Sequence, residues 1–123
     1  MTAEAEVSRF IASSFRSVWA IELLLQLKRH PGRGWSKADL VGTLRASELV
    51  IGNGVDALVA AGLAVEDQDG SVRYAPASPD LERLADATEA LYAKKPDAVR
   101  RMIVAAATDG VTAFADAFRL RRD

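Results

Sequence analysis

The sequence predicts a small, mainly α-helical domain carrying one β-hairpin, and three observations lead to it. Apolar residues recur at helical spacing through most of the chain. The stretches so marked are bounded by Ser, Pro and Gly where helices begin and end. Only "LAVEDQDGSVRYA", residues 63–75, reads as two short strands around an Asp-Gly turn. A length of 123 residues suits a single core, and the absence of cysteine excludes disulfides and thiolate metal sites.

Val7, Phe10 and Ile11 fall at helical spacing near the start. After Ser13 and Ser14 a strongly apolar helix, from Phe15 to about His30, is expected to be the central pillar of the core, and "HPGRG" stops it. Ser36, with Asp39 three residues on, caps a short helix in "SKADLVGTLRA" whose buried side is Leu40, Val41 and Leu44. Ser47 caps the next helix, with Glu48 set against the positive end of its dipole. With Val55 at the centre of the buried face, 100° per residue puts Ile51, Leu58, Val59 and Gly62 inside. Leu49, Val50, Asn53, Asp56, Ala57 and Ala60 then face outward.

Gly62 ends that helix as a C′ glycine, and the hairpin follows. Ser78 and Pro79 open a further helix along the stripe Leu81, Leu84, Ala85, Thr88, Leu91 and Tyr92, with Thr88 its weak point. Beyond Pro96, "DAVRRMIVAAA" and "VTAFADAFRLRRD" read as two short helices joined at Asp109-Gly110. Residues 1–77 thus form the core with its N-terminal helix. Residues 78–123 are a C-terminal helical extension that packs on the core or builds an oligomer interface, a homodimer being one outcome.

"SVWAIELLLQL", residues 17–27, contains Glu22 and Gln26 and falls short of the roughly 18 apolar residues of a membrane span, so no membrane association is expected. The first ten residues lack the basic start and apolar core of an export signal, and a cytoplasmic location is the expectation. The net charge of −1 conceals a segmental pattern. Residues 36–76 hold three basic and six acidic groups, whereas residues 1–35 hold five and three, and residues 94–123 seven and four.

From Val18 to Ser78 the chain resembles the winged helix-turn-helix superfamily, and within it the MarR-like and ArsR-like bacterial transcriptional regulators. The residues that carry the likeness are Ser36 to Leu44 as positioning helix, Ser47 to Ala61 as recognition helix, "VDALVAAGLAVED" as the passage into the first strand, and "DGSVRYAPAS" as the returning wing. The spacing of Val55, Leu58, Gly62 and Leu63 is similar to that superfamily's leucine, leucine, glycine, leucine pattern. The resemblance implies a regulator that binds double-stranded DNA as a dimer, with the recognition helix in the major groove and the wing on the adjacent backbone. Carried over by position, Leu49, Val50, Asn53, Asp56 and Ala57 would meet base edges. Lys37, Arg45 and the Ser47 cap, with Arg73 from the wing, would meet phosphates. Asn53 alone is a typical base reader, through adenine.

The charge of that surface departs from the family pattern. Glu48, Asp56, Glu66, Asp67 and Asp69 oppose its few cations, although phosphate neutralisation supplies most non-specific DNA affinity. The same outward face is apolar and small at Leu49, Val50, Gly54, Ala57 and Ala60. That composition suits a protein-interaction module, a co-regulator or assembly factor that has lost DNA binding. Coverage of Leu49 and Val50 by the chain's own terminal helices is the alternative.

Lys28, Arg29 and Arg33 would add to a nucleic-acid surface if they flank this face. Lys94, Lys95, Arg100 and Arg101, and Arg119, Arg121 and Arg122, are basic clusters open to an acidic partner or simply solvated. His30 has no second ligand at metal spacing, and Trp19 and Trp35 read as core and core-edge anchors. No Ser, His and acid constellation can be assembled, so no enzyme, metal or cofactor is expected.

Overall fold

The structure, a computed structural model, describes residues 2–106. It is mainly helical, in the order α1 (Thr2–Ser14), α2 (Val18–Arg29), α3 (Lys37–Leu44), α4 (Glu48–Ala60), β1 (Ala64–Glu66), β2 (Val72–Tyr74) and α5 (Pro79–Lys94). A further helix, α6, covers residues 96–106. The expected last helix, from Val111 onward, and any dimer contact it would make lie outside the described residues. Among the described residues, no single helix is long and apolar enough to cross a membrane.

The apolar N-terminal region is two helices rather than one dominant pillar with a lead-in. Residues 15–17 break the helix, and α1 and α2 meet at 107°. Phe15, expected within the second helix, sits in this elbow, 1% exposed and edge-on to Phe10 at 5.8 Å. Trp19 is a second correction: it is 40% exposed rather than a core anchor. Leu23, Leu24 and Leu27 bury the inner side of α2 completely.

The serine caps form as expected. The Ser36, Ser47 and Ser78 hydroxyls accept from the backbone N–H groups of Asp39, Val50 and Leu81 at 3.0–3.1 Å. Gly62 has φ +77°, the left-handed geometry required just after α4, and a Cβ there would come within 3.0 Å of the Leu81 side chain. The two strands pair antiparallel, Ala64 with Tyr74 and Glu66 with Val72. Trp35 bridges Val72 with a backbone bond in each direction at 2.8 Å, so the loop before α3 acts as a one-residue third strand.

The buried face of α4 differs from the helical-wheel expectation. Ile51, Val55 and Leu58 are inside, but Gly54 is buried with them and Val59 is 42% exposed. On a wheel of 100° per residue the buried face is turned about 50° from Val55 towards Gly54. The cause is the α2–α4 crossing. A Cβ on Gly54 would lie 3.0 Å from the Leu23 Cδ2 and 4.0 Å from the Ala20 Cα, so glycine permits an approach that a side chain would obstruct.

Helix α5 is tied back by polar links. Lys28, 14% exposed, meets Asp86 and Glu89 at 2.7 Å each. Burial opposes its charge, but hydrogen bonds and attraction from the two carboxylates outweigh that, and the ammonium stays protonated well above the ordinary lysine range. Arg83 joins Asp80 and reaches Glu6 of α1 at 3.0 Å. The Tyr92 hydroxyl donates to Glu22 at 2.5 Å, and Arg100 of α6 donates to the same hydroxyl at 3.3 Å. Thr88, fully buried, donates to the Leu84 carbonyl at 2.8 Å, which resolves the weak point in the apolar stripe.

Two glycines in α4 should behave oppositely. Nothing lies within 4 Å of a Cβ on Gly52, so Gly52→Ala should raise unfolding stability by about 0.5–1 kcal/mol, the helix-propensity difference. Gly54→Val should lower it by about 1–3 kcal/mol through overpacking against Leu23. Denaturant titrations compare the two; a stabilised Gly54→Val would mean that the crossing is loose.

Burial, chiefly, raises the pH at which both tyrosines ionise. Lys28 partly opposes it at Tyr74, and the bond to Glu22 reinforces it at Tyr92. A raised folded-state value makes this contribution complete below the unfolded value of about 10 and lost as pH climbs through the folded value. Thermal midpoints should therefore fall above about pH 10, and phenolate absorbance should lag behind that of free tyrosine while the fold persists. Normal titration in a still-folded chain would contradict this.

Candidate functional site

The outer face of α4 is the surface to which the sequence assigns binding. It is positioned from behind by the Gly54 crossing and from in front by the α3–α4 turn. In that turn Arg45 closes α3 with φ 54° and ψ 44°, a left-handed conformation uncommon for a side chain of this size, and its N–H bonds to the Val41 carbonyl. Its guanidinium has no ion-pair partner among the described residues.

The other two expected phosphate-binding cations have partners within the chain. Lys37 meets Glu66 of β1 at 2.8 Å, and the hydrogen bond to Glu66, with attraction from that carboxylate and from Asp56, raises its ionisation. Arg73 of β2 meets Asp67 across the hairpin at 3.2 Å. Of the loop cations, Lys28 is held by α5. The Arg33 guanidinium carbon lies over the Trp35 ring, 3.6 Å from the centroid, and His30 packs near the same indole, ring centroids 5.8 Å apart. Trp35 is thereby a core anchor with a cationic cover.

Of the predicted site residues, Leu49 stands free at the first turn of α4, 72% exposed. Val50, Asn53 and Asp56 instead join Ala57 and Ala60 as one wall of a groove of about 880 Å³. The opposite wall is the α1–α2 elbow, with Ser13, Arg16, Ser17 and Trp19. Ala20 and Gly54, both buried at the helix crossing, form the floor. Gly54, expected on the outward face, is thus the bottom of the groove rather than its rim. Ser47, Lys37, Arg45 and Arg73 do not line it.

Sequence reasoning missed the elbow wall. Its signal was present in Ser13, Ser14 and Ser17, which interrupt an otherwise apolar run and offer backbone-competing hydroxyls where α1 must end and α2 begin.

The lining pairs small apolar surfaces, Ala20, Gly54, Ala57 and Ala60, with one exposed indole and charges of both signs, Arg16 and Asp56. Such a surface admits close approach of a helix and a few oriented polar contacts. Among the described residues, no group of three or more His, Asp or Glu side chains gathers to hold a metal ion. A scan against protein-family models, a search of curated proteins and a search of solved structures each gave no match to this chain.

Proposed function

We propose that this chain is a winged-helix protein-interaction module, a co-regulator or assembly factor, that receives an amphipathic helix in the groove between α4 and the α1–α2 elbow. One observation carries the reading: the outer face of α4 is a wall of a groove lined by small apolar and polar side chains, while Lys37 and Arg73, its would-be phosphate contacts, are paired with Glu66 and Asp67. Exposed ion pairs hold only about 0–1 kcal/mol each and would open readily. The acids would nonetheless remain beside any phosphate. A protein making 6 to 10 phosphate contacts, roughly what a specific DNA binder uses, has no counterpart on a segment with three basic and six acidic groups.

A second reading, a DNA-binding dimeric transcriptional regulator, is favoured by Arg45 and Asn53, both exposed, at the turn and on the outer face of α4. Anisotropy with a labelled mixed-sequence duplex at low salt separates the two. The wild type should show no binding at micromolar concentrations, and Asp56→Asn/Glu66→Gln/Asp67→Asn should gain weak, salt-sensitive binding. Tight wild-type binding whose salt slope flattens in Arg45→Ala would replace the first reading with the second.

The groove itself is tested with amphipathic helical peptides selected from a display library. Val50→Asp and Ala57→Glu should each weaken a selected peptide by about tenfold or more, with helical circular dichroism unchanged, as expected for a charge set in an interface centre. Wild-type affinity retained in both variants would rule the groove out as the receptor.

A further inference from the structure

The crest of α4 and the groove beside it complement one another. On a helical wheel of 100° per residue, Leu49, Asp56 and Ala60 fall within about 40° of each other, on the side of α4 opposite the buried Leu58. Leu49 rises from this crest at 72% exposure and does not itself line the groove. Gly52 lies next to it on the wheel, and nothing stands within 4 Å of a Cβ there, so that flank is open to close approach. The groove offers the matching features: a floor of Ala20 and Gly54, the Trp19 indole, and the cation of Arg16. Arg16 and Asp56 are both exposed, and neither forms an ion pair among the described residues.

We propose that the helix received in this groove is α4 of a second copy of this chain, the two copies exchanging crest for groove about a two-fold axis. This rests on the groove reading above and names its partner. The axis runs parallel to the groove, between its floor and the α4 crest, because a rotation there sets each crest into the other copy's groove. Leu49 of each copy then seats over the floor of Ala20 and Gly54 and against the Trp19 indole of the other. Asp56 of each copy meets Arg16 of the other, so the ion pair forms twice. A ligand carrying one sign of charge would leave either Arg16 or Asp56 unanswered, whereas a second copy supplies both counterparts at once. Leu49 and Trp19 are the large apolar anchors on each side, so the dimer is concentration-dependent and a competing helix can take the groove of the free chain.

Sedimentation equilibrium of the full chain tests this. The wild type should dimerise, and Leu49→Asp should raise the dissociation constant by about tenfold or more with circular dichroism unchanged, because Leu49 is already exposed in the single chain. Arg16→Glu sets like charges across the interface, and so does Asp56→Arg; each alone should weaken self-association by about tenfold or more. An equal mixture of these two variants restores opposite charges at both contacts, so it should regain most of the lost affinity as a heterodimer. A wild type still monomeric at roughly 1 mM overturns the proposal. So does a dimer that survives Leu49→Asp and both charge reversals, and so does a mixture that stays monomeric. The two ideas fail separately. If the wild type is monomeric while a selected peptide loses affinity in Val50→Asp, the groove stands and the second copy falls. If the mixture dimerises but no library peptide binds the Leu49→Asp chain, the self-contact stands and the reading of the groove as a receptor for another protein falls.

Discussion

The contact on which the rest depends is the close crossing of α2 and α4 at Gly54. With no Cβ, Gly54 lets α4 settle against Leu23 and Ala20. The separation of the two helices and the rotation of α4 are fixed together, because core side chains on either side are nearly fully buried and cannot follow a shift. Ile51, Val55 and Leu58 face the core, Val59 is turned out to solvent, and Val50 and Ala57 are turned towards the elbow. The groove is a consequence of this crossing. Its floor is the crossing itself, and its second wall exists because α1 departs from α2 at a steep angle.

Charge distribution follows the same economy. The long links, Lys28 to Asp86 and Glu89 and Tyr92 to Glu22, lie between helices and are partly buried, so they fix where α5 rests on α2. The pairs around the hairpin, Lys37 with Glu66 and Arg73 with Asp67, are more exposed and contribute little stability. Their effect is on what the surface attracts. A long-range field that steers an anionic partner needs unpaired cations, and this face supplies chiefly Arg45.

Much of the fold was legible in the residues. The three serine caps, Pro79 at the start of α5, the C′ glycine at 62 and the Asp-Gly turn each carry a local mechanism that survives any tertiary context. The apolar period of α4 gave three of its buried positions. Gly54 and Val59 were exchanged because a hydrophobic pattern weighs side chains, and a glycine that is buried to let a neighbour approach has none to weigh. The Phe15–Ser17 break was also obscured, since its apolar residues read as a continuous period. Half of the site went with it: Asn53, Asp56 and Val50 were nameable from one helix, but the wall opposite them is made by residues about 40 positions earlier whose proximity only the elbow creates.

A helix that reads a DNA groove must project one face beyond everything around it, whereas a helix that grips a protein segment can recess that face. The distinction turns on rotation and on neighbours rather than on topology, which is common to both. Here Gly54 is buried at the crossing, and Val50 and Ala57 line the side of a cleft. The indole of Trp19 lines the groove with them, and Glu66, Asp67 and Asp69 add negative charge around the hairpin. Each of these features alone is an ordinary variation of a helical domain. Their coincidence places small apolar side chains, one indole and charges of both signs on one face.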